Sequence, residues 1–248
     1  MEDSNIRILK YPVEDENKIV YYGYWFKNLK DGIGIQLWPD GSIYEGSFLH
    51  WKLHGRGRLI HNDGDWYNGY WKDDHSNGWG IYSHLDGSKY QGEWKNDKQD
   101  GYGIEIWSDG SRFEGNFING KKNGEGKFKS HDSSFYIGNF ANNQYNGFGK
   151  FTWPNGKLYE GQWTDNKMCG KGILICSDGK KYEGEFFNSM KNGKGIMKWP
   201  NETTLEGTFL NNKIQGKCMV KNKFGVVQYG EWVNGKRIRK ISLEEYLI

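Results

Sequence analysis

Residues 149–163 read GKFTWPNGKLYEGQW, and the last five alternate large rings with a bare glycine (Tyr159, Gly161, Trp163) in a stretch that otherwise reads as a β-strand. Glycine weakens a strand interior and marks a bulge, a bend or a close approach by another group. One such glycine decides nothing, but its recurrence does. The Gly161 position returns at Gly23, Gly46, Gly69, Gly92, Gly115, Gly138, Gly184, Gly207 and Gly230, always 23 residues apart. A ring follows two residues later throughout, as at Trp25, Phe48, Phe117 and Trp232. Two residues before it stands Tyr or Phe, with only Leu205 and Gln228 departing.

A second glycine pair follows the first glycine at fixed distance, as in Gly32/Gly34, Gly55/Gly57, Gly101/Gly103, Gly147/Gly149 and Gly193/Gly195. A turn glycine closes each unit, as in Pro39-Asp40-Gly41 and Pro154-Asn155-Gly156. Two period-2 segments separated by turn chemistry read as a β-hairpin. Asn119-Gly120 predicts a two-residue type I′ loop, and Pro154-Asn155-Gly156 a three-residue loop ending in a left-handed glycine. This register sets Gly161 opposite Gly170 and Tyr159 opposite Gly172. Rings and glycines then share one face of the sheet, where a ring from a neighbouring strand can lie in the glycine trough.

Composition agrees. Glycine, at 36 of 248 residues, is about twice its usual ~7% share. Trp 12, Tyr 16 and Phe 13 make aromatics 17% of a chain with only 35% hydrophobic residues, so rings carry the packing. The expectation is an all-β, elongated array of about ten 23-residue hairpins forming a twisted single-layer antiparallel sheet. Twenty strands at ~4.8 Å span roughly 95 Å if the sheet stays open. Repeat arrays end in atypical caps. Residues 5–11 predict a leading strand, and Ser242-Leu-Glu-Glu245 reads as a capping box opening a short helix to Ile248.

Units such as Tyr44-Glu-Gly46-Ser-Phe48, Tyr159-Glu-Gly161-Gln-Trp163 and Tyr182-Glu-Gly184-Glu-Phe186, each followed by the spaced glycine pair, resemble MORN repeats (membrane occupation and recognition nexus). The resemblance spans ten units over residues 21–238, with 1–20 as a leading strand or cap and 239–248 as a helical cap. Leu205, Gln228, Cys218, Ser133 and Glu202 depart from the pattern. The resemblance implies an elongated scaffold or adaptor in cytoskeletal, ciliary (axonemal) or membrane-associated assemblies, in some relatives fused to a catalytic domain. The array occupies nearly all of these residues and leaves none for such a domain.

Three cysteines cannot all pair, the amino terminus lacks a signal pattern, and no apolar run approaches ~18 residues, so an intracellular, cytoplasmic location is expected. Cytoskeleton or cilium is implied by the resemblance alone. Residues 1–124 carry 15 Lys+Arg against 19 Asp+Glu, and residues 125–248 carry 19 against 12, so the chain is electrically polarised.

No enzyme or cofactor is expected. Gly32-Ile-Gly34 and Gly78-Trp-Gly80 recur in the hairpin pattern and lack a phosphate-loop context. Cys169 and Cys176 have no second ligand pair at zinc spacing. His50 and His54 flank a turn, and His131-Asp132-Ser133-Ser134 gathers triad residue types side by side where a triad needs convergence. Asp97-Lys-Gln-Asp100-Gly101 is not a full calcium loop, and Asn201-Glu-Thr203 is a silent sequon.

The face opposite the rings is where partners are expected. In the first four units its second-strand residues are apolar: Ile33, Ile35, Leu37, Ile60, Trp79, Ile81, Tyr102, Ile104 and Ile106. Such a patch marks a protein contact or a second copy of the chain. Further on, Lys127, Lys129, Lys150, Lys171, Lys194, Lys198, Lys217 and Lys221 form a basic stripe suited to an acidic protein or an anionic membrane surface. Nucleic acid is not expected, because the net charge is modest and the rings are interlocked with glycines. The ring trough either receives an extended peptide or is filled by its own rings. The leading functional expectation is a scaffold linking protein partners, followed by recognition of anionic phospholipid, then by a targeting subunit for a separate enzyme.

Overall fold

The computed structural model describes residues 7–248. Seven-residue strands such as Ile43–Leu49 and Leu158–Thr164 alternate with nine-residue strands such as Lys52–Ile60 and Lys167–Ile175. The chain divides between Lys122 and Asn123 into two compact halves, the boundary falling within the strand Lys121–Lys129. Each half is an all-β, open antiparallel sheet in which every strand pairs with its neighbours in the chain.

In the first half the strand Ile8–Glu14 pairs with Val20–Phe26 and leads into the repeats. Of the predicted leading strand, residues 5 and 6 lie outside the described residues. In the second half the last strand runs over Lys236–Ile241 and the helix over Leu243–Leu247. The Ser242 Oγ accepts from the Glu245 N–H at 3.1 Å, as the capping box requires.

Turn chemistry sets the repeat. His50 and Trp51 (φ 49° and 75°) and Asp165 and Asn166 (φ 49° and 65°) are both left-handed, the type I′ pattern that matches strand twist. In the three-residue loop the Gly156 N–H donates to the Trp153 carbonyl at 3.0 Å, with Gly156 at φ 80°. Asn155 Oδ1 accepts from the Lys157 N–H, and Asp40, Asp109 and Asp178 serve Ser42, Ser111 and Lys180 in the same way. Ser133 and Glu202 adopt the same left-handed conformation at φ 70° and 63°, so their loops keep the form without glycine.

The register differs from the sequence expectation. Gly161 faces Gly172 and Tyr159 faces Leu174, not Gly170 and Gly172. Near the turn the expected pairing does hold, with Trp163 facing Met168 and Gln162 facing Cys169. Between them the second strand carries two extra residues, Gly170 and Lys171, with Gly170 left-handed at φ 54°. This bulge shifts the register by two, an even number, so every side chain keeps its predicted face.

The occupant of the trough also differs. A Cβ on Gly172 would lie 2.5 Å from the Tyr159 hydroxyl, and one on Gly161 would lie 2.6 Å from both that hydroxyl and the Gly172 Cα. The ring over the paired glycines thus comes from the same strand. Its hydroxyl donates to the Gln162 carbonyl at 3.0 Å, beside the bulge where ladder pairing is interrupted. Tyr21, Tyr44, Tyr67, Tyr90, Tyr136 and Tyr182 each donate likewise three residues on.

Rings from successive repeats then interlock edge to face: Tyr44 meets Phe48 of its own strand at 5.2 Å, and Tyr21 of the preceding repeat meets that Phe48 at 4.9 Å. The indole N–H groups of Trp71, Trp94 and Trp163 donate to the carbonyls of Gly57, Gly80 and Gly149 in the preceding repeat. Trp25 follows a strand without such a glycine, and its buried Nε1 has no hydrogen-bond partner among the described residues. Repeat nine shows a compensating exchange. Leu205 brings no tyrosine ring, and the Cys218 side chain, fully buried, takes the space beside Gly207 instead.

Candidate functional site

The ring face is the core of the protein. Tyr44, Tyr136 and Tyr159 are fully buried, and the other repeat rings nearly so except the half-buried Trp94, so the rings fill the trough along most of its length and leave no continuous peptide channel.

In the first half the predicted apolar residues do share the second face, opposite the rings. Ile33 is 66% exposed, Leu37, Trp79 and Tyr102 are about 40% exposed, and Ile35, Ile60, Ile81, Ile104 and Ile106 are half-buried. First-strand residues join them: Tyr22 faces Ile35 in the ladder, and exposed Tyr70 faces Arg56, whose guanidinium lies 5.2 Å from the ring. Arg58 lies similarly over Trp66. Sequence reasoning missed these tyrosines because it followed one strand of each hairpin; the alternation of side chains puts residues flanking the first glycine on the same face. Tyr102 donates to Glu114 at 2.7 Å, which raises its hydroxyl pKa and adds a carboxylate to the patch.

In the second half Lys127, Lys129, Lys150, Lys171, Lys194, Lys198, Lys217 and Lys221 are all exposed on the second face. Lys171, Lys194 and Lys217 line a groove of about 730 Å³, while the others stand outside its lining. The groove follows the paired glycines Gly161, Gly172, Gly184, Gly195 and Gly207, which put no side chain on this face. Along one wall glutamates and isoleucines alternate in register: Glu160 with Ile173, Ile173 with Glu183, Glu183 with Ile196, Ile196 with Glu206. Along the other wall Lys171 faces Glu185 and Lys194 faces Thr208. The glutamates, which sequence reasoning passed over, make the stripe mixed in charge.

The carboxyl-terminal helix closes one end. Tyr246 lines the groove and packs on Tyr229 at 4.7 Å between ring centroids, and burial, helped by the charge of Glu206, raises its hydroxyl pKa. The Lys217 ammonium donates to the Glu245 carbonyl at 2.5 Å, and Arg239 pairs with both Glu231 and Glu245 at 2.8 Å. These charge-assisted contacts seat a helix on the second face of the sheet.

The MORN repeat model matches residues 21–43, 44–66, 90–112, 113–135, 136–157, 159–181, 182–204, 206–219 and 229–237, together well over half of the chain. No curated protein matches in sequence. Among solved structures, the Drosophila melanogaster SAS-4 (dCPAP) TCP domain in complex with a proline-rich motif of Ana2 is 12% identical over 69% of this chain and 86% of that one, with a TM-score of 0.38. The TCP10 domain of Danio rerio CPAP is 9% identical over 93% and 99%, with a TM-score of 0.30. Likenesses at this level carry no argument about function.

Proposed function

Because this chain belongs to the MORN-repeat family, we propose that it is a non-catalytic repeat scaffold that binds and links protein partners through its second face. The principal contact is the groove of the second half, and its occupant is an amphipathic helix of the partner. The observation that carries this reading is the chain's own helix Leu243–Leu247, seated at the end of that groove through Tyr246 and Lys217.

The groove's periodicity supports the same occupant. Lys171, Lys194 and Lys217 stand on every second strand, about 9.6 Å apart, close to the ~10.8 Å of two helical turns. A helix crossing the strands presents an acidic residue to the lysine wall and, along the other wall, basic residues to Glu160, Glu183 and Glu206 with apolar ones between them against Ile173 and Ile196. The apolar patch around Ile35, Ile81 and Ile104 provides a separate contact in the first half, as a linking protein needs. Cytoskeletal or ciliary assemblies are the setting the family suggests. Anionic membrane is the weaker reading, since the glutamates between the lysines cancel much of the field a lipid surface would feel.

Cross-linking mass spectrometry in native extract identifies the partner and the face it touches. Lys194→Glu with Ile196→Asp should then reduce its recovery about tenfold or more. Cross-links confined to other surfaces, or full recovery by the folded double variant, would overturn the reading.

A further inference from the structure

The ring face carries a position that most repeats fill, each in its own way, whereas Ser76 of repeat three turns its hydroxyl to Asp97 instead. Lys122 of repeat five reaches over the rings of Trp107, Phe113 and Phe117, at 4.6, 5.2 and 5.7 Å from their centroids, and pairs with Glu105 at 2.6 Å. Lys30 of repeat one lies 4.8 Å over Tyr21, and Lys191 of repeat eight 5.2 Å over Tyr182. Leu53, Met168 and Ile214 fill the position with buried apolar side chains. Tyr145 fills it by stacking on Tyr136 at 3.9 Å.

Repeat four has Gln99 there. Twenty-three residues before the groups that hold Lys122 stand Tyr82, His84, Tyr90 and Trp94. These four, with Gln99, line an open pocket of about 470 Å³ bounded further on by Trp107 and Glu105. Tyr90 and Trp94 meet at 90° with centroids 5.1 Å apart, and Tyr82 adds a third wall 6.3 Å from Trp94. The pocket is therefore the lysine site of its neighbour with the lysine left out.

We propose that this pocket receives a methylated ammonium group, either a trimethylated lysine side chain or a small quaternary amine of the choline type. Ring faces at right angles attract a cation through their quadrupoles. The nearby carboxylates already have partners: Glu105 holds Lys122, and Asp65 accepts from the Tyr82 hydroxyl at 3.0 Å and contacts His84 Nδ1 at 2.6 Å. A primary ammonium, strongly hydrated and needing several acceptors, gains little in such a place. A methylated one needs no acceptor and offers apolar surface to the rings. Exposed Lys89 also borders the space. The site is on the ring face of the first half and stands independently of the function proposed for the groove.

The test is a titration of the full chain, labelled on tryptophan nitrogen, with tetramethylammonium, choline, N-acetyl-trimethyl-lysine amide, unmethylated lysine amide and the neutral isostere 3,3-dimethylbutanol. Saturable shifts of the Trp94 indole N–H are expected with the three methylated cations, and at least about tenfold weaker response to the other two. Tighter binding of trimethyl-lysine amide than of choline identifies a protein side chain as the source, and the reverse identifies a small amine. Gln99→Lys, which copies repeat five, and Gln99→Met, which copies repeat seven without adding charge, should both abolish the shifts while the rest of the spectrum is retained. No saturable shift up to about 10 mM, an equal response to the neutral isostere, or shifts that persist in both folded variants would overturn the proposal.

Discussion

Gly172 and Gly156 are both glycines for a physical reason, but not the same one. A Cβ on Gly172 meets the Tyr159 ring at 2.5 to 2.7 Å, and that ring is held on both sides by Trp163 and Phe186. A Cβ on Gly156 meets nothing within 4 Å, and only its φ of 80° opposes a side chain. Gly172→Ala is expected to cost about 3 kcal/mol through overpacking, whereas Gly156→Ala should cost only about 1 to 2 kcal/mol, the cost of a left-handed alanine. Urea denaturation midpoints measure both. Equal losses would mean that the close approach of ring to backbone contributes nothing beyond backbone conformation.

At the scale of the hairpin, repeat nine solves the same packing problem with a different pair. Leu205 stands where Tyr159 or Tyr182 stands elsewhere, and Cys218 where Gly172 or Gly195 does. The Cys218 thiol is fully buried, and burial pushes its pKa up to about 11, so it packs as a small apolar group. Leu205→Tyr alone drives a ring into Cys218, and Cys218→Gly alone leaves a void. The double variant restores the pairing of the other repeats. A double-mutant cycle should therefore give a coupling energy of about 1 to 3 kcal/mol, with the double variant more stable than the sum of the singles predicts. Additive effects would show that the two departures from the repeat are unrelated.

Across the whole molecule, the buried tyrosines make stability sensitive to alkali. Burial, helped by Asp31 at Tyr21 and by Glu185 at Tyr182, raises both hydroxyl pKa values to about 12, and Tyr44, Tyr67, Tyr90, Tyr136 and Tyr159 are raised further. In the unfolded chain these groups titrate near 10. Native tyrosines hold their protons more tightly, so this stability is complete below pH ~10 and is lost as pH rises through 12, by up to about 1.4 kcal/mol per pH unit for each tyrosine. Guanidinium midpoints should be level to pH ~10 and fall steeply by ~11.5; a level curve through that interval would contradict the role assigned to the rings. Much of this protein follows from its sequence alone. The 23-residue period, the turn types and the face of each side chain are legible because turn glycines and strict strand alternation are local properties. So were the apolar residues of the second face, from Ile33 to Ile106, and the lysines from Lys127 to Lys221. The two-residue bulge at Gly170 was not, because the facing of Gly161 and Gly172 depends on how two strands pair over their full length. Glu160, Glu183 and Glu206, which flank the first glycine of their repeats, were legible by the same alternation but were passed over. The source of the ring over the glycines and the open site at Gln99 were not legible. Each of these is decided where one repeat packs on the next, and only tertiary structure brings those residues together.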